Sequence, residues 1–185
     1  MSNTGGRRRW DWLGTPPGAS EHQFFWSTAA RDPLTDLCAR PSLLGRLEES
    51  LARPRPDGEH LALVLCSLEN FDELAASLGE RGTDSLLVAA SKRLRGAVRS
   101  HDIIARWDAG EFAVLADWLP HERVVTSLAM RIKDALTGSY ATSVSAADVD
   151  VCVAAVVGRP EHTVATLVSE TLGALSFSRR ESAAL

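Results

Sequence analysis

The run LALVLCSL at 61–68 constrains the fold of this chain more than any other feature. It is short, apolar and bounded by turn signals, with PRPDG at 54–58 before it, and it reads as a buried strand. A buried strand needs cover, and the flanking sequence supplies it. Residues 41–52 predict an amphipathic helix with Pro41 in its first turn and Leu43, Leu44, Leu47 and Leu51 on one face. Two helices follow the strand. One runs over about 71–78 and ends at Gly79, and one over about 83–98 carries Leu86, Leu87, Ala90, Leu94 and Val98 on a shared face. Asp84 stands at the start of the second, where the helix dipole favours a carboxylate.

IIARW at 103–107, a three-residue turn of Asp108, Ala109 and Gly110, and EFAVLA at 111–116 then form a hairpin. Residues 121–136 give a helix with Val124, Val125, Leu128, Ile132 and Leu136 inward, 139–145 and 149–157 read as two further strands, and 163–177 closes the chain as a helix capped by Thr163 or His162. Strand–helix alternation around a central hairpin predicts an α/β (α+β) fold: one mainly antiparallel five-stranded sheet flanked by helices.

The chain has 185 residues, enough for one globular domain with a substantial core. Its charge of −4 gives no reason to expect a nucleic-acid partner. No run approaches the roughly 18 apolar residues of a membrane span. Arg7, Arg8 and Arg9 are followed by no apolar core, so the N-terminus does not read as a signal peptide. Cys38, Cys66 and Cys152 are far apart, which favours free thiols in a reducing compartment, and the chain reads as a soluble cytoplasmic protein. Residues 1–20, rich in Gly, Pro, Ser and Arg around Trp10 and Trp12, read as a flexible tail. Residues 21–30, with Phe24, Phe25 and Trp26, read as a helix leading the domain at 21–185. The histidines at 22, 60, 101, 121 and 162 show no metal-ligand spacing.

Three phrases at mutually consistent spacing carry a family resemblance. RDPLTDLCAR at 31–40 resembles "DPLTGLxNR". SLENFDELAASLGERGTDSLL at 67–87 resembles "DxDxFKxxNDxxGHxxGDxLL", with Phe71, Gly79, Asp84, Leu86 and Leu87 keeping the frame. RSHDIIARWDAGEFAVL at 99–115 resembles "RxxDxxARxGGDEFAVL", with Arg99, Asp102, Ala105, Arg106, Glu111 and Phe112 in place. From about residue 31 to the C-terminus the chain thus resembles a GGDEF (diguanylate cyclase) domain, which implies the nucleotidyl-cyclase-like fold.

The resemblance also marks what has changed. A diguanylate cyclase joins two GTP molecules with the help of divalent metal. The family's metal carboxylates fall on Ser67 and Gly110, and neither residue supplies an anion. The degenerate signature is Asp108, Ala109, Gly110, Glu111 and Phe112, in which Asp108 and Ala109 replace the glycines that let backbone approach phosphate. The guanine-reading asparagine falls on Ala75, while Asp84 retains the other guanine-reading carboxylate or simply serves its helix start. The glycine–histidine pair is Gly79-Glu80. The phosphate-binding cations align with SFSRRES, where Arg179 or Arg180 is a partial substitute or a solvated helix end. The resemblance therefore implies no cyclase activity, no catalytic magnesium and no other cofactor.

Arg99 and Asp102 keep the register of the family's inhibitory product site, the RxxD motif that binds cyclic di-GMP. An arginine fork can donate to guanine O6 and N7, and an aspartate can accept from N1 and N2. Arg131 falls near a further arginine for that ligand, and His101 inside the motif reads either as an exposed histidine without a role or as a group that tunes binding with pH. The simpler alternative makes Arg99 a solvated helix end and Asp102 the cap of a turn. The leading expectation is a non-catalytic cyclic di-GMP receptor that signals to a protein partner, with a ligand-linked homodimer as one assembly. The alternative is a ligand-independent interaction module on the same scaffold, using the Trp10/Trp12 tail or the 21–30 helix.

Overall fold

The structure is a computed structural model and describes residues 31–56 and 58–182. The expected tail over 1–20 and helix over 21–30 lie outside the described residues. The elements run β1 (Cys38–Ala39), α1 (Arg40–Ala52), β2 (His60–Leu68), α2 (Phe71–Ala97), β3 (Ile103–Asp108), β4 (Glu111–Leu119), α3 (Arg123–Leu136), β5 (Gly138–Ala141), β6 (Ala146–Val149), β7 (Val151–Gly158) and α4 (Val164–Ser182).

β2 lies inside a five-stranded sheet of order β1-β3-β4-β2-β7. It is antiparallel to both neighbours, so that Leu65 faces Ala113 on one side and Ala154 on the other. Its continuous apolar run follows from helices on both faces. Side chains alternate across a strand, and Ala62, Val64, Cys66 and Leu68 join one core with Leu86, Leu94, Phe112, Leu128 and Ile132. Leu61, Leu63 and Leu65 join the other with Leu43, Leu47, Trp107, Leu167 and Leu175. α2 and α3 thus cover one face and α1 and α4 the other.

The sheet is mainly antiparallel as expected, in three of its four pairings, but three details are corrected. It is mixed, because β1 runs parallel to β3, with Cys38 opposite Ala105 and Ala39 opposite Arg106. Two residues carry no readable period, so β1 leaves no mark in the sequence. The segment 139–145 is not a strand of this sheet. It is extended only to Ala141 and then turns, with Thr142 Oγ1 accepting from the Val144 and Ser145 amides, and β6 returns along β5 as a separate two-stranded sheet. The hairpin turn is also tighter than expected, because Asp108 already pairs with Glu111 and leaves only Ala109 and Gly110 between the strands.

The two helices expected on either side of Gly79 are both present, joined across a kink within α2. Gly79, at φ 63° and ψ 179°, breaks the helical backbone between them, and only glycine adopts that conformation readily. Of the two proposed caps for α4, Thr163 serves: its Oγ1 accepts from the Thr166 amide, and Thr166 Oγ1 accepts from the Thr163 amide.

Candidate functional site

The C-terminal end of β2, the start of α2, the β3–β4 turn and the last turns of α4 meet around a cavity of about 450 Å³. Ser67 sits at its floor, 2% exposed, between Glu111 on β4 and Cys152 on β7. Arg179 reaches in from α4. One of its Nη atoms donates to both Ser67 Oγ and Glu111 Oε1, the latter at 2.8 Å, and its Nε donates to Glu69 Oε1 at 3.2 Å. Burial alone would lower the Arg179 pKa, but the hydrogen bond and charge of Glu111, with those of Glu69, outweigh it and raise the pKa above the usual arginine value. The guanidinium is therefore a fixed positive charge among carboxylates. Arg180 is exposed.

Gly110 is buried in the turn, and its carbonyl accepts from the Leu68 amide at 2.9 Å. Phe71 packs directly over it: a Cβ placed on Gly110 would lie 2.5 Å from Phe71 Cγ and 2.8 Å from Phe71 Cβ. Asp108 turns back on its own backbone, its Oδ1 accepting from the Ala109 amide at 2.8 Å. Arg106 clamps the turn by donating from Nε to the Asp108 carbonyl at 2.7 Å and from Nη to the Ala109 carbonyl. Burial lowers the Arg106 pKa, opposed by the charges of Asp32, Asp108 and Asp84. Asp84 is thus within electrostatic reach of the signature turn. Phe112, wholly buried, anchors the hairpin from below.

The RxxD segment lies at the opposite end of β3. Arg99 is exposed in the turn that follows α2. Asp102 closes that turn: its Oδ2 accepts from the Arg99 amide at 2.8 Å, and its own amide donates to the Arg99 carbonyl at 3.1 Å. The Asp102 side chain is 1% exposed, and its Oδ1 has no hydrogen-bond partner among the described residues. His101 Nε2 is 3.9 Å from that oxygen. Arg131 donates from Nε to the Ala97 carbonyl at 2.5 Å, which holds it at the last turn of α2. The structure thus gathers Arg99, Asp102 and Arg131 in one region, but it holds the Asp102 carboxylate inward rather than at the surface. Glu69, and the packing of Phe71 on Gly110, were not foreseen. The signal for Glu69 was a carboxylate two residues after Ser67. The Phe71 contact leaves no trace in a linear sequence.

The family model for the diguanylate cyclase GGDEF domain matches residues 29–181. The chain belongs to the GGDEF family. Among its relatives, diguanylate cyclase TpbB of Pseudomonas aeruginosa is 37% identical over 87 residues, 47% of this chain and 20% of TpbB. Cyclic di-GMP phosphodiesterase NbdA of the same organism is 32% identical over 133 residues, 70% of this chain and 17% of NbdA. This GGDEF chain therefore matches about a fifth of the length of those relatives. In three dimensions it superposes on the GGDEF domain of TpbB with a TM-score of 0.76 at 28% identity, covering 82% of this chain and 90% of that one. The diguanylate cyclase SiaD of P. aeruginosa, solved in complex with its activator SiaC, gives 0.76 at 25% identity, covering 86% and 62%.

The donor set of this GGDEF pocket does not fit a magnesium centre. Magnesium takes near-octahedral oxygen ligands, chiefly carboxylates, waters and substrate phosphates. Ser67 offers a neutral hydroxyl and Gly110 no side chain, while Glu69 and Glu111 are already spanned by the Arg179 guanidinium. Among the described residues no three His, Cys, Asp or Glu side chains converge to hold an ion.

Proposed function

We propose that the chain is a non-catalytic GGDEF receptor for cyclic di-GMP that binds the dinucleotide at Arg99, Asp102 and Arg131 and passes the signal to a protein partner. The observation that carries this reading is Asp102 Oδ1, a buried carboxylate oxygen without a hydrogen-bond partner among the described residues, beside the exposed Arg99 and within the region that Arg131 reaches. A buried acceptor left unsatisfied costs about 1–3 kcal/mol or more when charged, and the N1 and N2 hydrogens of a guanine are donors of the right kind to relieve it. Arg99 supplies the complementary fork for O6 and N7.

The non-catalytic half of the reading rests on the pocket. Ser67 and Gly110 provide no anionic ligand, and Asp108 places a carboxylate where triphosphate would lie. No helix among the described residues is long and apolar enough to cross a membrane, and the receptor is assigned to the cytoplasm. A dinucleotide with two guanines can also bridge two copies of this surface. The partner is a protein; SiaD, a diguanylate cyclase of this fold, is itself found in complex with an activator protein.

The second reading is a ligand-independent interaction module. It is favoured by Asp102 Oδ2, which already closes the turn on the Arg99 amide. Calorimetric titration with cyclic di-GMP, GTP and Mg²⁺ separates the readings. A receptor gives heat with cyclic di-GMP at micromolar or tighter affinity, lost in Arg99→Ala, and gives no product from GTP. Absence of heat at saturating dinucleotide leaves the interaction module, and formation of cyclic di-GMP from GTP overturns both.

A further inference from the structure

We infer that Arg179 stands in for the divalent cation of the GGDEF pocket, so that the site is neutralised by a residue of the chain itself and accepts no metal while the guanidinium is in place. The cavity wall carries the carboxylates Glu69, Asp72, Glu73, Asp108 and Glu111, with Arg179 as the one cation among its lining residues. Two of them, Glu69 and Glu111, meet at one guanidinium, and carboxylates brought to one point repel one another unless a positive charge lies between them. Arg106 is not among the lining residues and donates to the carbonyls of Asp108 and Ala109 rather than to these carboxylates.

Arg179 joins three acceptors at once: Ser67 at the end of β2, Glu69 just beyond it and Glu111 at the start of β4. A metal ion makes this kind of link, drawing oxygen atoms from separate elements onto one centre. A guanidinium makes it with fixed N–H directions and without a hydration shell to shed. It also ties α4 to the sheet across 112 positions of sequence.

Phe71 secures the exchange from the other side. A carboxylate at position 110 would have to displace its ring, since even a Cβ there meets Phe71 Cγ at 2.5 Å. The pocket has thus gained an arginine bridge in place of its missing ligands, while Phe71, an aromatic the family pattern also carries, has settled over the space a side chain at 110 would need. This inference concerns the pocket and not the RxxD surface, and its readout is metal binding. Its failure and the failure of dinucleotide binding are therefore distinguishable.

The test is thermal unfolding of the full chain with EDTA, Mg²⁺ or Mn²⁺, paired with Mn²⁺ calorimetry. The wild type is expected to show the same Tm in all three conditions and no Mn²⁺ heat. Arg179→Ala is expected to lose stability in EDTA and to regain on the order of 5 °C in saturating Mn²⁺. That response should vanish in Arg179→Ala/Glu111→Gln. If Arg179→Ala does not fold, Arg179→Gln, which keeps a polar stem, takes its place in both comparisons. A wild-type protein that binds Mn²⁺, with binding lost in Glu111→Gln, overturns the inference. So does an Arg179 variant that is as blind to Mn²⁺ as the wild type.

Discussion

Gly110 shows at the scale of one residue how packing limits what can stand in the signature turn. Gly110→Asp returns a carboxylate to the signature, yet it pushes against the Phe71 ring. The expected result is a loss of about 1–3 kcal/mol of stability from overpacking, measured by urea unfolding, with no gain of cyclase activity. Phe71→Ala in the same chain should recover part of that loss, because residues in contact do not contribute independently. Cys66 makes a second prediction. Burial pushes its thiol up from the usual 9.0 to about 12. Its folded pKa is raised, so the associated stability is present below pH 9 and is lost as pH climbs from 9 toward 12, where the unfolded thiol ionises and the folded one does not. The slope is at most about 1.4 kcal/mol per pH unit. Tyr140 is raised by burial as well and acts in the same direction. Cys66→Ala should flatten the alkaline limb of a plot of unfolding free energy against pH. In the native protein at pH 8, Cys66 should resist a thiol reagent until the chain unfolds.

The elements show which signals a sequence transmits. The helices α1, α3 and α4 and the strands β2 and β7 were legible because each repeats a hydrophobic period over several turns or residues. α2 was legible as two pieces for a good reason: Gly79 is written as glycine because its backbone leaves the helical region there. Gly79→Ala should therefore cost about 1–3 kcal/mol, unlike an alanine replacement in an ordinary helix, where it stabilises. The check is a chemical denaturation curve for each protein. β1 and β6 were not legible. A two-residue parallel pair has no period, and the β5–β6 turn depends on Thr142 accepting backbone amides, a local geometry that serines and threonines write in many contexts. For the candidate site the division is similar. Ser67, Gly110, Arg99 and Asp102 were found by register against a family motif. The grip of Arg179 on Glu69 and Glu111 was not, because it joins residues that only the fold brings together. The inward hold on Asp102 was foreseen only as the turn cap weighed against ligand binding.

At the scale of the whole molecule the two cores share one strand. Leu65 and Cys66 face opposite helical layers across β2, so neither layer can melt and leave the other intact. Leu65→Ala, at a position with no exposure, should cost about 2–5 kcal/mol. Its unfolding, followed by far-UV circular dichroism and by tryptophan fluorescence, should remain a single coincident transition. Two separate transitions would show the layers to be independent. The placement of β2 also bears on how the chain reaches its fold. During synthesis this strand leaves the ribosome long before its partners. Cys66 waits 46 positions for Phe112, with which it shares a hydrogen bond in the finished sheet, and the β7 side of the pairing comes later still. Contacts so distant along the chain slow folding, and an apolar strand without its ladder is a template for pairing with other nascent chains. The strand that organises the native core is thus the segment most in need of protection at birth, and its dependence on chaperones should exceed that of any helix in the protein.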